Sequence, residues 1–184
     1  MTSAAEKARA AISRGDLIGA FDEGVSAIAQ GDDSTAIRYS QVLALARMGD
    51  TDRAAQLFAT YGLSTSQDPH EQAIGARILK DRALELPAGE ARKQALATAA
   101  DAYDAIYVDS GDSYPGINAA SLAVLAGQAE RGSRIARDLL ALPQVSEPAD
   151  FFMAATRAEA ELLLKDADAC AASLALAADF VGED

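Results

Sequence analysis

The sequence predicts an all-α chain of about five helical hairpins stacked in sequence order. Three observations carry this. Half of the 184 residues are apolar, yet only 5% are aromatic and none is Trp, so alanine and leucine do the packing. That composition suits closely approaching helices and not a β-sandwich, which draws on Val, Ile, Thr and aromatics. A Gly-Asp pair preceded by helical-period apolar residues occurs twice, 34 residues apart, at Gly15-Asp16 and Gly49-Asp50. No run of alternating strand residues bounded by turn signals is found along the chain.

Taken in order, the hairpins are predicted near 2–31, 34–63, 68–107, 114–142 and 149–181, together one domain over 1–184. In the first two, glycine ends one helix in the left-handed conformation and aspartate caps the next, with an alanine five positions past each glycine at Ala20 and Ala54. A helix–turn–helix unit with a 34-residue period is the signature of tetratricopeptide repeats, here an α-solenoid. The third unit opens on Asp68-Pro69-His70-Glu71, read as a capping box with proline at the first helical position, and is interrupted at LPAG, 86–89. In the fourth, Gly127 takes the turn, and in the fifth Lys165-Asp166 takes it 38 residues later.

The net charge of −12 disfavours nucleic-acid and anionic-membrane partners. The N-terminal MTSAAEKARAAISRGD lacks the apolar core of a signal peptide, and no apolar run approaches the ~20 residues of a membrane span, so a cytoplasmic location is expected. His70 and Cys170, the sole residues of their types, stand a hundred positions apart, which disfavours a zinc site and a Cys–His catalytic pair. Phosphate-binding loops, metalloprotease motifs and calcium loops find no match either. No enzyme, cofactor or metal is expected.

Counting back from each turn aligns the first helices of the hairpins. Glu6, Ser40, Asn118 and Thr156 stand nine before it, and Arg9, Leu43, Ser121 and Glu159 six before it. Positions three apart share a helix face. A polar ladder is therefore expected on the inner side, running through Ser40, then Arg77 and Lys80 (clustered with Asp81 on one helix), then Asn118 and Ser121, then Thr156 and Glu159. Glu6, Arg9 and Ser40 read as solvated positions. Asn118, Thr156 and Glu159 sit in alanine- and leucine-rich helices and are expected to be partly buried, with Lys80 or Arg77 as the partner of Glu159.

The pentad Tyr-Pro-Gly-Ile-Asn at 114–118 marks the start of the fourth hairpin. Proline disfavours the helical conformation for Tyr114 and suits the first helical position, which would leave the N–H groups of Gly116, Ile117 and Asn118 free for an anion. Tyr114 would then stack on a flat group and Asn118 read its edge. Alternatively, these residues only start and pack a helix, with Gly116 admitting a neighbouring helix.

Four segments in this order, GARILKDRAL, AADAYDAIY, SYPGINAASLAVLAG and FFMAATRAEAELLLKD, resemble the TRAFs-binding family of tetratricopeptide domains over residues 68–166. That domain accompanies apoptosis signal-regulating kinases and many bacterial signalling and conflict-system effectors. The resemblance implies a regulatory, non-catalytic module that senses a small nucleotide-like ligand or binds a protein effector. Its ligand-binding residues would be Arg77, Lys80, Asp81, Tyr114, Gly116, Asn118, Ser121, Thr156 and Glu159. Phe152 stands where the family has a bulkier aromatic, and the chain ends at ADFVGED where members continue. An excised domain fits that ending. The apolar terminal helix, ACAASLALAADF, lacks the polar outer face of a cap and points to a homo-oligomer or a missing continuation.

Overall fold

Turn chemistry decides where each helix stops. In the computed structural model, which describes residues 2–181, Gly15, Gly49 and Gly127 all lie in the left-handed region, at φ 79°, 82° and 87°. After each, the next N–H reaches back five residues to a helix carbonyl: Asp16 to Ala11 at 2.9 Å, Asp50 to Leu45 at 3.0 Å, Gln128 to Ala123 at 2.8 Å. The aspartates then cap the following helix, Asp16 Oδ1 accepting from the Gly19 N–H at 2.9 Å and Asp50 Oδ1 from Arg53 at 3.3 Å. Lys165 adopts the same conformation, φ 64°, and Asp166 repeats both bonds, to the Glu161 carbonyl at 3.0 Å and from the Ala169 N–H at 3.1 Å.

A side chain in the left-handed region costs about 1–2 kcal/mol, and the three equivalent turns avoid it with glycine. Lys165→Gly should therefore stabilise the protein by about 1 kcal/mol, raising the melting temperature by about 2–4 °C. A calorimetric scan with no rise would show that Lys165 makes a compensating contact.

The helices so delimited are α1 (Ala4–Ser13), α2 (Leu17–Ala29), α3 (Thr35–Met48), α4 (Thr51–Thr60), α5 (Pro69–Glu85), α6 (Glu90–Ser110), α7 (Ser113–Leu125), α8 (Ala129–Leu140), α9 (Pro143–Ser146), α10 (Phe151–Leu163) and α11 (Ala167–Val181). Neighbouring helices pack as α1/α2, α3/α4, α7/α8 and α10/α11, with no strand among the described residues. The one-turn α9 and a 3-10 turn at Leu63–Thr65 were not anticipated; each seats one apolar side chain, Val145 and Leu63, in the core. Met1 and residues 182–184 of the predicted domain lie outside the described residues.

Two compact units emerge, Met1–Arg82 and Ala83–Asp184. In the first, Ile37, Val42, Leu45, Leu63, Ile74 and Ile78 supply bulk between alanines. The Tyr61 hydroxyl donates to the buried Gln41 Oε1 at 2.7 Å. Asp68 caps α5 by accepting from the His70 N–H at 2.8 Å, but Glu71 does not reach back as a capping box requires. Its carboxylate instead accepts from the Ser66 hydroxyl, whose oxygen in turn accepts from the Asp68 N–H at 3.0 Å.

In the second unit, α6, α7, α8, α10 and α11 pack around Leu96, Tyr103, Ile117, Leu122, Ile135 and Leu139, again interleaved with alanines. The residue five past each turn is small and buried in four hairpins: Ala20, Ala54, Gly132 and Cys170. It marks the point where the second helix crosses the first. Arg131 ties α8 to α6, with Nη1 2.6 Å from Asp101 and Nη2 2.7 Å from Asp104. The bond it donates to Asp104, more than the one to Asp101, raises the pKa of the guanidinium above its usual value.

Candidate functional site

The pentad lies inside α7, not at its border. The helix begins at Ser113, and Asp112 caps it by accepting from the Tyr114 N–H at 2.8 Å. Pro115 is therefore the third helical residue, and Tyr114 is helical where an extended conformation was expected. Proline is tolerated there because the first four N–H groups of a helix have no intrahelical partner. Its ring meets no helical carbonyl four residues back, since Gly111 ends α6 in the left-handed conformation, φ 69°.

This geometry removes the expected anion cradle. The Gly116 N–H donates to the Asp112 carbonyl at 3.4 Å, while Ile117 and Asn118 are interior to the helix. Gly116 is a packing residue. A Cβ there would stand 2.8 Å from both Leu139 Cδ2 and Tyr107 Cδ2, so the missing side chain admits α6 and α8. Burial, then the Asp138 and Asp104 carboxylates, raises the Tyr107 phenol above its usual value and keeps it protonated. Tyr114 rests edge-on against the buried Tyr103, ring centroids 6.3 Å apart, and leaves about a third of its surface exposed (37%). The Asn118 amide donates to the Tyr114 carbonyl at 3.0 Å, one turn back in its own helix.

The ladder positions of the fourth and fifth hairpins do meet. The Ser121 hydroxyl on α7 donates to Glu159 Oε1 on α10, joining the two residues that stand six before their turns. At the start of the same helices, the Ser113 hydroxyl lies 3.5 Å from Met153 Sδ. Thr156, three residues before Glu159, is buried, and Asn118, three before Ser121, is half-buried. Glu159 itself is exposed, contrary to the expected partial burial.

Arg77, Lys80 and Asp81 belong to the first unit and are half-buried on α5. Arg77 Nε lies 3.3 Å from Asp81 Oδ2, an i,i+4 pair within the helix. Ser40 is buried rather than solvated, its hydroxyl donating to the Ala36 carbonyl at 2.8 Å. Glu6 is spent on capping α1: it accepts from the Ser3 N–H at 2.7 Å, and that bond, then the one from the Ser3 hydroxyl, lowers its pKa.

Sequence reasoning missed one buried carboxylate, Glu161. It lies two positions past Glu159 and accepts from Arg157 Nε at 2.9 Å. The signal was present in the i,i+4 spacing Arg157–Glu161 on a helix otherwise rich in alanine. Among the described residues, no group of three or more His, Cys, Asp or Glu side chains is placed to hold a metal ion. No helix among them is long and apolar enough to cross a membrane.

A family model described as Tetratricopeptide Repeats-Sensor matches residues 18–123, from the second residue of α2 into α7. Arg77, Lys80, Asp81, Tyr114, Gly116, Asn118 and Ser121 fall within that span, and Thr156 and Glu159 beyond it. The chain is also similar to a thermophilic tetratricopeptide-repeat protein of Thermus thermophilus known from its crystal structure. The TM-score is 0.77, over 96% of this chain and 89% of that one, at 14% identity. At that identity the likeness is one of fold. No curated protein matches the sequence.

Proposed function

The chain belongs to the Tetratricopeptide Repeats-Sensor family, and from that premise we propose that it is a non-catalytic regulatory domain that senses a small, nucleotide-derived ligand. The observation that carries this reading is the meeting of Ser121 and Glu159 across α7 and α10, with Asn118 one turn before Ser121 on the same face. An exposed carboxylate, a hydroxyl and an amide within a turn of one another form a set of acceptors and donors suited to vicinal ribose hydroxyls or a base edge. Tyr114 offers a partly exposed ring on the same helix, and Thr156 is buried on α10 three residues before Glu159.

None of Tyr114, Gly116, Asn118, Ser121, Thr156 and Glu159 is cationic, so this set reads the nucleoside part and not the phosphates. Gly116 contributes by letting α7 sit close on its neighbours. Separately, Arg77 and Lys80 of the first unit are a proposed contact for an anion in their own right, with Asp81 beside the Arg77 guanidinium. The resemblance to TRAFs-binding domains supports a place beside a signalling or conflict effector.

A thermal-shift panel of AMP, NAD, ADP-ribose and cyclic dinucleotides tests the reading. A ligand at a hundred times its dissociation constant adds about 2.7 kcal/mol, a shift of several degrees. Glu159→Ala and Asn118→Ala should each abolish that shift with helicity unchanged, and Lys80→Ala tests the first-unit contact separately. A flat panel, or a shift retained in both α7–α10 variants, removes the proposed site. The apolar outer side of α11 favours a second reading, a scaffold that binds a partner protein, to which a flat panel would point.

A further inference from the structure

We infer that the face where Ser121 meets Glu159 selects a phosphate-free nucleoside over the corresponding nucleotides. This rests on the proposed ligand sensing and narrows it to one ligand class. The bond between the two residues fixes what the pair can offer. Ser121 spends its hydroxyl hydrogen on Glu159 Oε1, so toward a ligand its oxygen accepts and does not donate. Glu159 is exposed, and its second oxygen, Oε2, is a further acceptor. Such a pair takes hydrogen-bond donors, which a nucleoside supplies in its 2′ and 3′ hydroxyls. It repels a phosphate, which brings negative charge and acceptors.

Nothing on the two helices offsets that repulsion. α7 carries no charged residue at all. α10 carries one cation, Arg157, and that cation is committed. Its Nε donates to Glu161 Oε1 at 2.9 Å and its Nη1 to the Ser146 carbonyl at 3.0 Å. Arg157 also stands two residues before Glu159, about 200° round the helix and so on its other side. The wider surroundings have the same sign. Residues 83–184 carry 17 acidic and 7 basic side chains, against 11 and 9 in residues 1–82. Most of the net charge of −12 therefore falls on the second unit. A field of that sign keeps anions away and leaves a neutral ligand unaffected. A phosphate dianion about 8 Å from even one carboxylate in water loses about fivefold in affinity.

Calorimetric titration of the full chain with adenosine and guanosine, each beside its 5′-mono- and diphosphate, tests this at low and at high salt. The nucleoside that binds should do so about fivefold more tightly than its monophosphate at low salt, with the diphosphate weaker still. The gap should close at high salt, where screening shortens the reach of each charge. Glu159→Gln keeps an acceptor and removes the charge, so it should narrow the gap at low salt. Nucleotides that bind as tightly as the nucleoside, a gap indifferent to salt, or an unchanged gap in Glu159→Gln would overturn the inference and leave ligand sensing standing. No binding by any of the six at millimolar concentration, or binding that Glu159→Ala and Asn118→Ala leave intact, would remove the site itself, and the inference with it.

Discussion

Gly132→Val should lower stability by about 3 kcal/mol, the largest loss expected from a single substitution at a helix crossing of the second unit. Gly132 stands five past the turn, where the equivalent residues are Ala20, Ala54 and Cys170, so an alanine would look harmless there. The local geometry says otherwise. A Cβ on Gly132 would stand 2.7 Å from the Ala120 carbonyl oxygen and 2.5 Å from Val124 Cγ2. The carbonyl belongs to the α7 backbone and cannot rotate away, so α8 must lift off α7. Gly132→Ala should still cost about 1 kcal/mol net, the overpacking outweighing the gain of about 1 kcal/mol in helix propensity. Urea unfolding followed by circular dichroism decides this. An unchanged midpoint for the valine variant would mean that α7 and α8 tolerate a wider crossing.

Arg157→Ala should cost about 2 kcal/mol. Glu161 is 5% exposed, and Arg157 is its charged partner, Nε to Oε1 at 2.9 Å. The other carboxylate oxygen, Oε2, is buried with no hydrogen-bond partner among the described residues. Removing the guanidinium strands a buried charge, which for a fully buried pair costs about 3–5 kcal/mol. Solvent around the Arg157 side chain, 36% exposed, reduces this. Arg157 also donates from Nη1 to the Ser146 carbonyl at 3.0 Å, pinning the end of α9 to α10. The double variant Arg157→Met with Glu161→Leu should recover most of the loss, because an apolar pair leaves no charge behind. If the single variant changes stability by less than about 0.5 kcal/mol, Glu161 is solvated in a way its burial does not convey.

The sequence by itself determined the repeat. A left-handed turn residue followed by a capping aspartate is a contract between near neighbours, so Gly15-Asp16, Gly49-Asp50 and Lys165-Asp166 were legible without any tertiary contact. The same local grammar set the register that brings Ser121 opposite Glu159.

Tertiary structure alone decided what the pentad is for. Where the helix starts is a local matter, since Asp112, through its bond to the Tyr114 N–H two residues on, puts Pro115 at the third helical position; what Gly116 admits is not. Whether Gly116 admits a ligand or a helix depended on Tyr107 and Leu139, brought there by α6 and α8. Glu159 and Glu161 look alike in the sequence, two carboxylates in one alanine-rich helix. Only the packing of α10 between its neighbours exposes the first and buries the second, because burial belongs to a helix face and the face is chosen by what packs against it.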